Sequence, residues 1–141
     1  MVGMANGFPV INPTDPCPCG ERAHVGVGEQ YALCCGRYLA GEQAPTAELL
    51  MRSRYTAYAV GDAPYLLRTW HESTRPPKLE LDPAQQWVRL EVLDSTGGSL
   101  FDSDATVRFR AHYAEGGGQG VMEENSTFVR VDGQWLYVDA T

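Results

Sequence analysis

Four cysteines carry the sharpest chemical signal in the sequence. They form two tight pairs, Cys17-Pro18-Cys19-Gly20 and Cys34-Cys35-Gly36, and none occurs in the remaining 106 residues. A disulfide-stapled domain spreads its cysteines through its core. Two close pairs flanking a short loop match metal ligands instead. Four thiolates satisfy tetrahedral Zn2+ at about 2.3 Å each and leave no open coordination position. The expected cofactor is therefore a structural zinc ion. His24, inside the loop, is an alternative ligand, and thiols without a metal are the plain alternative. A redox role fits less well, because no C-x-x-C precedes a helix. Residues 17–38 are too few to bury a core of their own. Metal binding, typically about 10–16 kcal/mol for structural zinc in small peptides, would supply the folding energy.

The elements that position other chemistry follow from the periodicity of the sequence. Residues 1–16 are rich in Gly, Pro and Asn and read as an unstructured, flexible lead-in. A helix is predicted from the N-cap Thr46 to Val60, stopping at Gly61, with Glu48 in its first turn where the dipole favours a negative charge. Asp62 caps a second predicted helix with Pro64 in its first turn, running through Leu66, Leu67 and Trp70 to Pro76-Pro77. The period then becomes two. Residues 87–94 alternate and lead into a predicted turn at Ser95–Gly98. In residues 105–114, Val107, Phe109, Ala111 and Tyr113 share one face. Arg108, Arg110 and His112 share the other, which places His112 at the surface. Gly116–Gly118 reads as a loop. Residues 121–131 and 134–139 form a hairpin across Asp132-Gly133. Helices followed by antiparallel strands define an α+β fold.

Composition bounds the function. The 141 residues amount to one domain's length. They are 43% hydrophobic and 21% charged, which excludes wholesale disorder. A net charge of −7 argues against binding nucleic acid through overall charge. The charge is uneven. Residues 37–78 carry six basic against four acidic groups, while residues 79–141 carry four against eleven. No window approaches 18 apolar residues, and Met1–Asn12 contains no Lys or Arg. Neither a membrane span nor a secretory or transit signal is expected, and a cytoplasmic protein is.

Cys17-Pro-Cys19-Gly20 followed by Gly26-x-Gly28-x-x-Tyr31-x-x-Cys34-Cys35-Gly36 resembles the SEC-C motif. That motif is the zinc-binding tail of the SecA translocation ATPase and recurs on many bacterial proteins. Fourteen residues separate the second and third cysteines here, against eight in the usual form. The extra stretch, about Glu21 to Gly26, carries His24. Gly36-Arg37-Tyr38-Leu39, Leu50–Tyr58, Thr69-Trp70-His71-x-Ser73-Thr74-Arg75-Pro76 and Trp135–Asp139 extend the resemblance to the YchJ family. These are bacterial proteins with a SEC-C motif followed by a nuclear-transport-factor-2-like domain. Where that family often has His-Glu-x-Ser, this chain reads Glu123-Glu124-Asn125-Ser126. The resemblance implies a zinc-binding unit at residues 17–38 and a cone at 46–141, with helices packed on a curved antiparallel sheet. It also implies a zinc-binding accessory protein whose knuckle contacts a protein partner, as the SecA tail contacts a chaperone and the ribosome.

Within such a cone the residues leave several readings open. Arg54 shares the apolar stripe of Ala47, Leu50, Met51, Ala57 and Tyr58. Its guanidinium either snorkels to the rim, forms a structural ion pair, or faces an anionic ligand or Glu124. With 131 facing 134, Arg130 pairs with Trp135, Phe128 with Tyr137 and Ser126 with Asp139. Val131, Val129, Leu136, Thr127 and Val138 fall on the opposite face. Both hairpin faces being apolar, a homodimer through the sheet is expected, with cover by the cysteine unit as the alternative. The candidate ligand pocket comprises Arg54, Tyr58, Trp70, His71, Glu124, Ser126, Phe128, Trp135 and Tyr137. His71 with Glu124 or Asp139 is the candidate general base, against a merely hydrogen-bonded histidine. No Ser-His-Asp order, P-loop or Rossmann glycine pattern appears. Small-ligand binding or enzymatic use of the cone is the alternative function.

Overall fold

The computed structural model describes residues 4–5, 7–20, 30–98 and 101–141. In chain order these form strands β1 (Met4–Ala5) and β2 (Phe8–Pro9), a 3-10 turn (Tyr31–Leu33), and helices α1 (Cys35–Leu39), α2 (Ala47–Val60) and α3 (Ala63–Arg68). Strands β3 (Gln86–Gly97), β4 (Asp104–Glu115), β5 (Gly118–Val131) and β6 (Gln134–Ala140) follow. The last four form one antiparallel sheet in the order β3-β4-β5-β6. Among the described residues no helix is long and apolar enough to cross a membrane.

Local rules explain α2 and α3. The Thr46 side chain accepts from Leu49 N at 3.2 Å, and Asp62 accepts from Tyr65 N at 3.1 Å. Gly61 ends α2 at φ 77°, a left-handed cap that glycine adopts without penalty. The core lies between these helices and one face of the sheet. Leu50, Met51 and Ala57 of α2 and Tyr65 and Leu66 of α3 are buried with Val107, Phe109, Ala111, Phe128 and Trp135.

Four expectations need correction. First, the lead-in is not structureless. Residues 4–9 form a short two-stranded ladder, and Tyr31 N and Ala32 N donate to Asp15 O and Pro13 O. The Phe8 ring also lies so close over Gly61 that a Cβ there would approach its Cδ2 to 2.5 Å. Second, α3 stops at Arg68 rather than reaching Trp70. Arg54 Nη1 occupies the Leu66 carbonyl (2.8 Å) and Thr69 Oγ1 (2.7 Å), while Tyr137 N takes Thr69 O and His71 N donates to Tyr137 O. The chain thereby leaves the helix and bridges β6 in parallel at Trp70, covering part of the sheet edge. Third, Ser95–Gly97 remain in β3, paired against β4 as far as Gly97 with Ala105. The reversal lies beyond them.

Fourth, the Asp132-Gly133 turn forms as expected, with φ of 51° and 81°, and sets the first four pairs of β5 with β6. A bulge then intervenes. Thr127, not Ser126, pairs with Asp139, and Ser126 pairs with Ala140. One extra residue on β6 inverts the facing of everything after it.

Gly61 carries a double demand, a positive φ and no room for a methyl group. Gly61→Ala is expected to destabilise the protein by about 1–2 kcal/mol. The loss, measured by thermal or denaturant unfolding, should shrink in a Phe8→Ala background, where the steric part is gone.

Candidate functional site

Cys17 and Cys19 lie on a turn closed by Gly20 N donating to Cys17 O at 3.1 Å. Cys34 ends the 3-10 turn and Cys35 opens α1. Gly36 follows because a Cβ there would meet Tyr31 O at 2.7 Å. All four side chains are buried, none is in a disulfide, and their sulfur atoms lie within 4.8 Å of one another. Cys19 Sγ and Cys34 Sγ are 3.6 Å apart. For metal–sulfur bonds of about 2.3 Å a tetrahedron has edges of about 3.8 Å, so the donor set fits a metal ion. Hydrogen bonding from Cys19 and then Cys34 holds the Cys17 thiol well below its usual range. Sharing with Cys17, together with burial, pushes the Cys35 thiol up. Four thiolates held this close together require a cation. His24 and the Gly26-x-Gly28 part of the motif lie outside the described residues.

The cysteine centre is seated on α2. Arg52 Nη1 donates to Cys19 O at 3.1 Å, with its Nε on Glu48 at 3.1 Å. Thr56 Oγ1 is 3.9 Å from Cys17 Sγ. The four cysteines belong to the same buried cluster as Leu50, Met51 and Tyr55.

Between α2 and the sheet lies a cavity of about 190 Å³. Met51, Arg54, Tyr55 and Tyr58 line it from α2. Trp87, Phe109, Ala111, Met122, Glu124, Ser126, Phe128 and Tyr137 line it from the four strands. Trp87 meets Tyr55, Tyr58 and Tyr113 edge-on, with ring centroids 6.3, 6.4 and 5.4 Å away.

Arg54 is only 5% exposed, so it does not snorkel, and among the described residues it forms no ion pair with Glu124. Its guanidinium carbon sits 4.5 Å from the Tyr137 ring and 5.0 Å from that of Trp70, where cation–π attraction stands in for a carboxylate. Burial lowers its pKa to about 10, which leaves it charged at neutral pH. Burial raises the Glu124 carboxyl above the usual range and pushes the Tyr137 phenol up to about 12.

Of the pocket residues expected from sequence, the cavity gathers Arg54, Tyr58, Glu124, Ser126, Phe128 and Tyr137. Trp70 stays outside, stacked edge-on against Tyr137 at 5.0 Å. Trp135 faces the same way but is buried deeper, and its Nε1 has no partner among the described residues. His71 lies in the turn after α3, its Nδ1 accepting from Ser73 N at 3.1 Å. Asp139 lies across the bulge, accepting from Thr127 Oγ1 at 2.6 Å. The general base proposed from sequence is therefore not assembled. Sequence reasoning missed Met51, Tyr55, Trp87, Phe109, Ala111 and Met122. The i, i+4, i+7 series Met51, Tyr55, Tyr58 and the strand alternation were the available signals.

The outward face of the sheet is mixed rather than apolar. Glu123 holds Arg110 at 2.8 Å and Arg108 at 3.8 Å, and Glu91 holds His112 at 2.6 Å. Apolar side chains on this face include Val129 and Leu136 toward the β5–β6 end and the exposed Val121 opposite His112.

These features define a nuclear-transport-factor-2-like cone with a cysteine knuckle built onto its longest helix. The family model described as YchJ, middle NTF2-like domain, matches residues 46–140, and the chain belongs to that family. It is 53% identical to a UPF0225 protein of Streptomyces coelicolor over 90% of this chain and 95% of that one. It is 52% identical to a UPF0225 protein of Corynebacterium glutamicum over 84% and 94%. The solution structure of a SEC-C motif containing protein from Rhodopseudomonas palustris matches with a TM-score of 0.73 and 31% identity, over 90% of this chain and 98% of that one. The crystal structure of a SEC-C motif containing protein from Psychrobacter arcticus also gives 0.73, at 28% identity, over 90% and 82%.

The raised pKa of Glu124 has a consequence for stability. Its folded value lies above the unfolded value of about 4.3, so its contribution is complete below that pH and is lost as pH rises through the folded value. Glu124→Gln should accordingly raise the melting temperature at pH 7 relative to wild type, with the difference vanishing near pH 4.

Proposed function

We propose that this protein binds a small molecule in its cone and that a structural zinc ion in the cysteine knuckle holds the helix forming the cavity wall. The observation carrying this reading is the open cavity, which the aromatic side chains frame but do not fill. Arg54, Glu124 and Ser126 contribute polar groups to its apolar lining, the usual composition of a small-ligand site. At about 190 Å³ it suits a ligand smaller than those of typical drug-sized pockets, which begin near about 300 Å³. With His71 and Asp139 directed elsewhere, binding is favoured over acid–base catalysis.

Four sulfur donors in a tetrahedron favour zinc or an iron–sulfur centre. Zinc is the simpler reading for a closed, buried set that anchors a helix. The protein-contact role expected of the knuckle has narrower support. Leu33, 60% exposed beside Cys34, offers an apolar side chain, while the other side of the knuckle is committed to α2.

Two measurements test the proposal. Elemental analysis of untagged protein is expected to give about one zinc per chain. Iron with visible absorbance, or no metal at all, would overturn that part. Met122→Trp should fill the cavity, leave the circular dichroism spectrum unchanged and abolish saturable binding of small aromatic compounds. Undiminished binding would exclude the cone as the site.

A further inference from the structure

The Arg54 cation is buried without an anion. Among the described residues no carboxylate forms an ion pair with it; Nη1 donates to Leu66 O and Thr69 Oγ1, and the Tyr58 hydroxyl, which also lines the cavity, is a further side-chain partner. Nε and Nη2 hold the remaining donors of the planar fork. A charge held in this way carries a desolvation cost that cation–π contacts only partly recover. Ser126 Oγ lines the same cavity. Its residue is 2% exposed, and no hydrogen bond is made by its hydroxyl among the described residues. A guanidinium fork and a hydroxyl lining one apolar chamber match a planar two-oxygen anion. The rest of the lining, Trp87, Tyr55, Phe109, Met51 and Met122, is flat and apolar.

Resting on the reading of the cone as a ligand site, we propose that its ligand is a small aromatic monocarboxylate. The carboxylate meets Arg54 and Ser126, and the ring lies against Trp87 and the two methionines. Burial raises the Glu124 carboxyl above its usual range, which favours the neutral acid and lessens its repulsion of such an anion.

Three probes of one skeleton separate the elements of this inference: benzoate, benzamide and benzylamine. The methyl resonances of Met51 and Met122, two of only four methionines, report occupancy of the cavity by NMR in the whole metal-loaded protein. Benzoate is expected to bind about tenfold more tightly than benzamide, and benzylamine least. Arg54→Lys keeps the charge but loses the fork, and should weaken benzoate by about tenfold while leaving benzamide within about twofold. Should that variant fold poorly, Ser126→Ala serves instead, with benzoate weakened by about fivefold and benzylamine unaffected. Benzamide or benzylamine equalling benzoate would overturn the carboxylate assignment while leaving the cone as a binding site. Benzoate affinity unchanged in both variants would overturn the assigned anchor. If none of the three shifts either methyl resonance, the ligand-site reading falls with the inference.

Discussion

A buried guanidinium organises this protein. Arg54 projects from the middle of α2 into the interior, where a cation survives only if its surroundings are built around it. They are. The end of α3 offers it the Leu66 carbonyl and the Thr69 hydroxyl, Trp70 and Tyr137 present their ring faces, and the cavity takes the rest. Because those groups come from three elements, satisfying one charge also fixes where α3 ends, where the chain joins β6 and which residues line the cone. A hydrophobic residue at position 54 would pack, yet it would give the Leu66 carbonyl and the Thr69 hydroxyl no donor and the cavity no positive pole.

The cysteine centre constrains the same helix from its other side. Arg52 and Thr56 face the knuckle, two positions either side of Arg54, and Tyr55, next to Arg54, packs both in the shared core and against the cavity. A metal ion there would stiffen α2 as one wall of the cone rather than hold a detached tag. This explains why a knuckle with no core of its own counts its cysteines among the most buried residues of the chain.

Much of this was legible in the sequence. The caps at Thr46, Gly61 and Asp62, the Asp132-Gly133 turn and the strand alternation all follow from short-range stereochemistry, and the structure bears them out. Reading the pocket succeeded where residues sit before a bulge, as for Phe128 and Tyr137. It failed after one, as for Asp139. His71 and Trp70 were assigned to a helix that the side chain of Arg54 terminates early. Trp135 faces inward as expected, yet it is buried beneath the helices and does not line the central cavity. Tyr55 and Trp87 were overlooked because nothing in either residue's local neighbourhood indicates that their rings meet.

By itself, then, the sequence determined the two cysteine pairs, the caps of α2 and α3, the Asp132-Gly133 turn and the family resemblance, because each rests on short sequence patterns. The tertiary structure alone decided which polar groups share one chamber. Facing in a strand is a matter of parity, and a single bulged residue near Val138 reverses it without any mark in local propensity. Likewise, no rule of spacing could settle whether Arg54 would reach the rim, meet Glu124 or remain buried on carbonyl and aromatic partners. That depended on where α3 and β6 came to lie beside it.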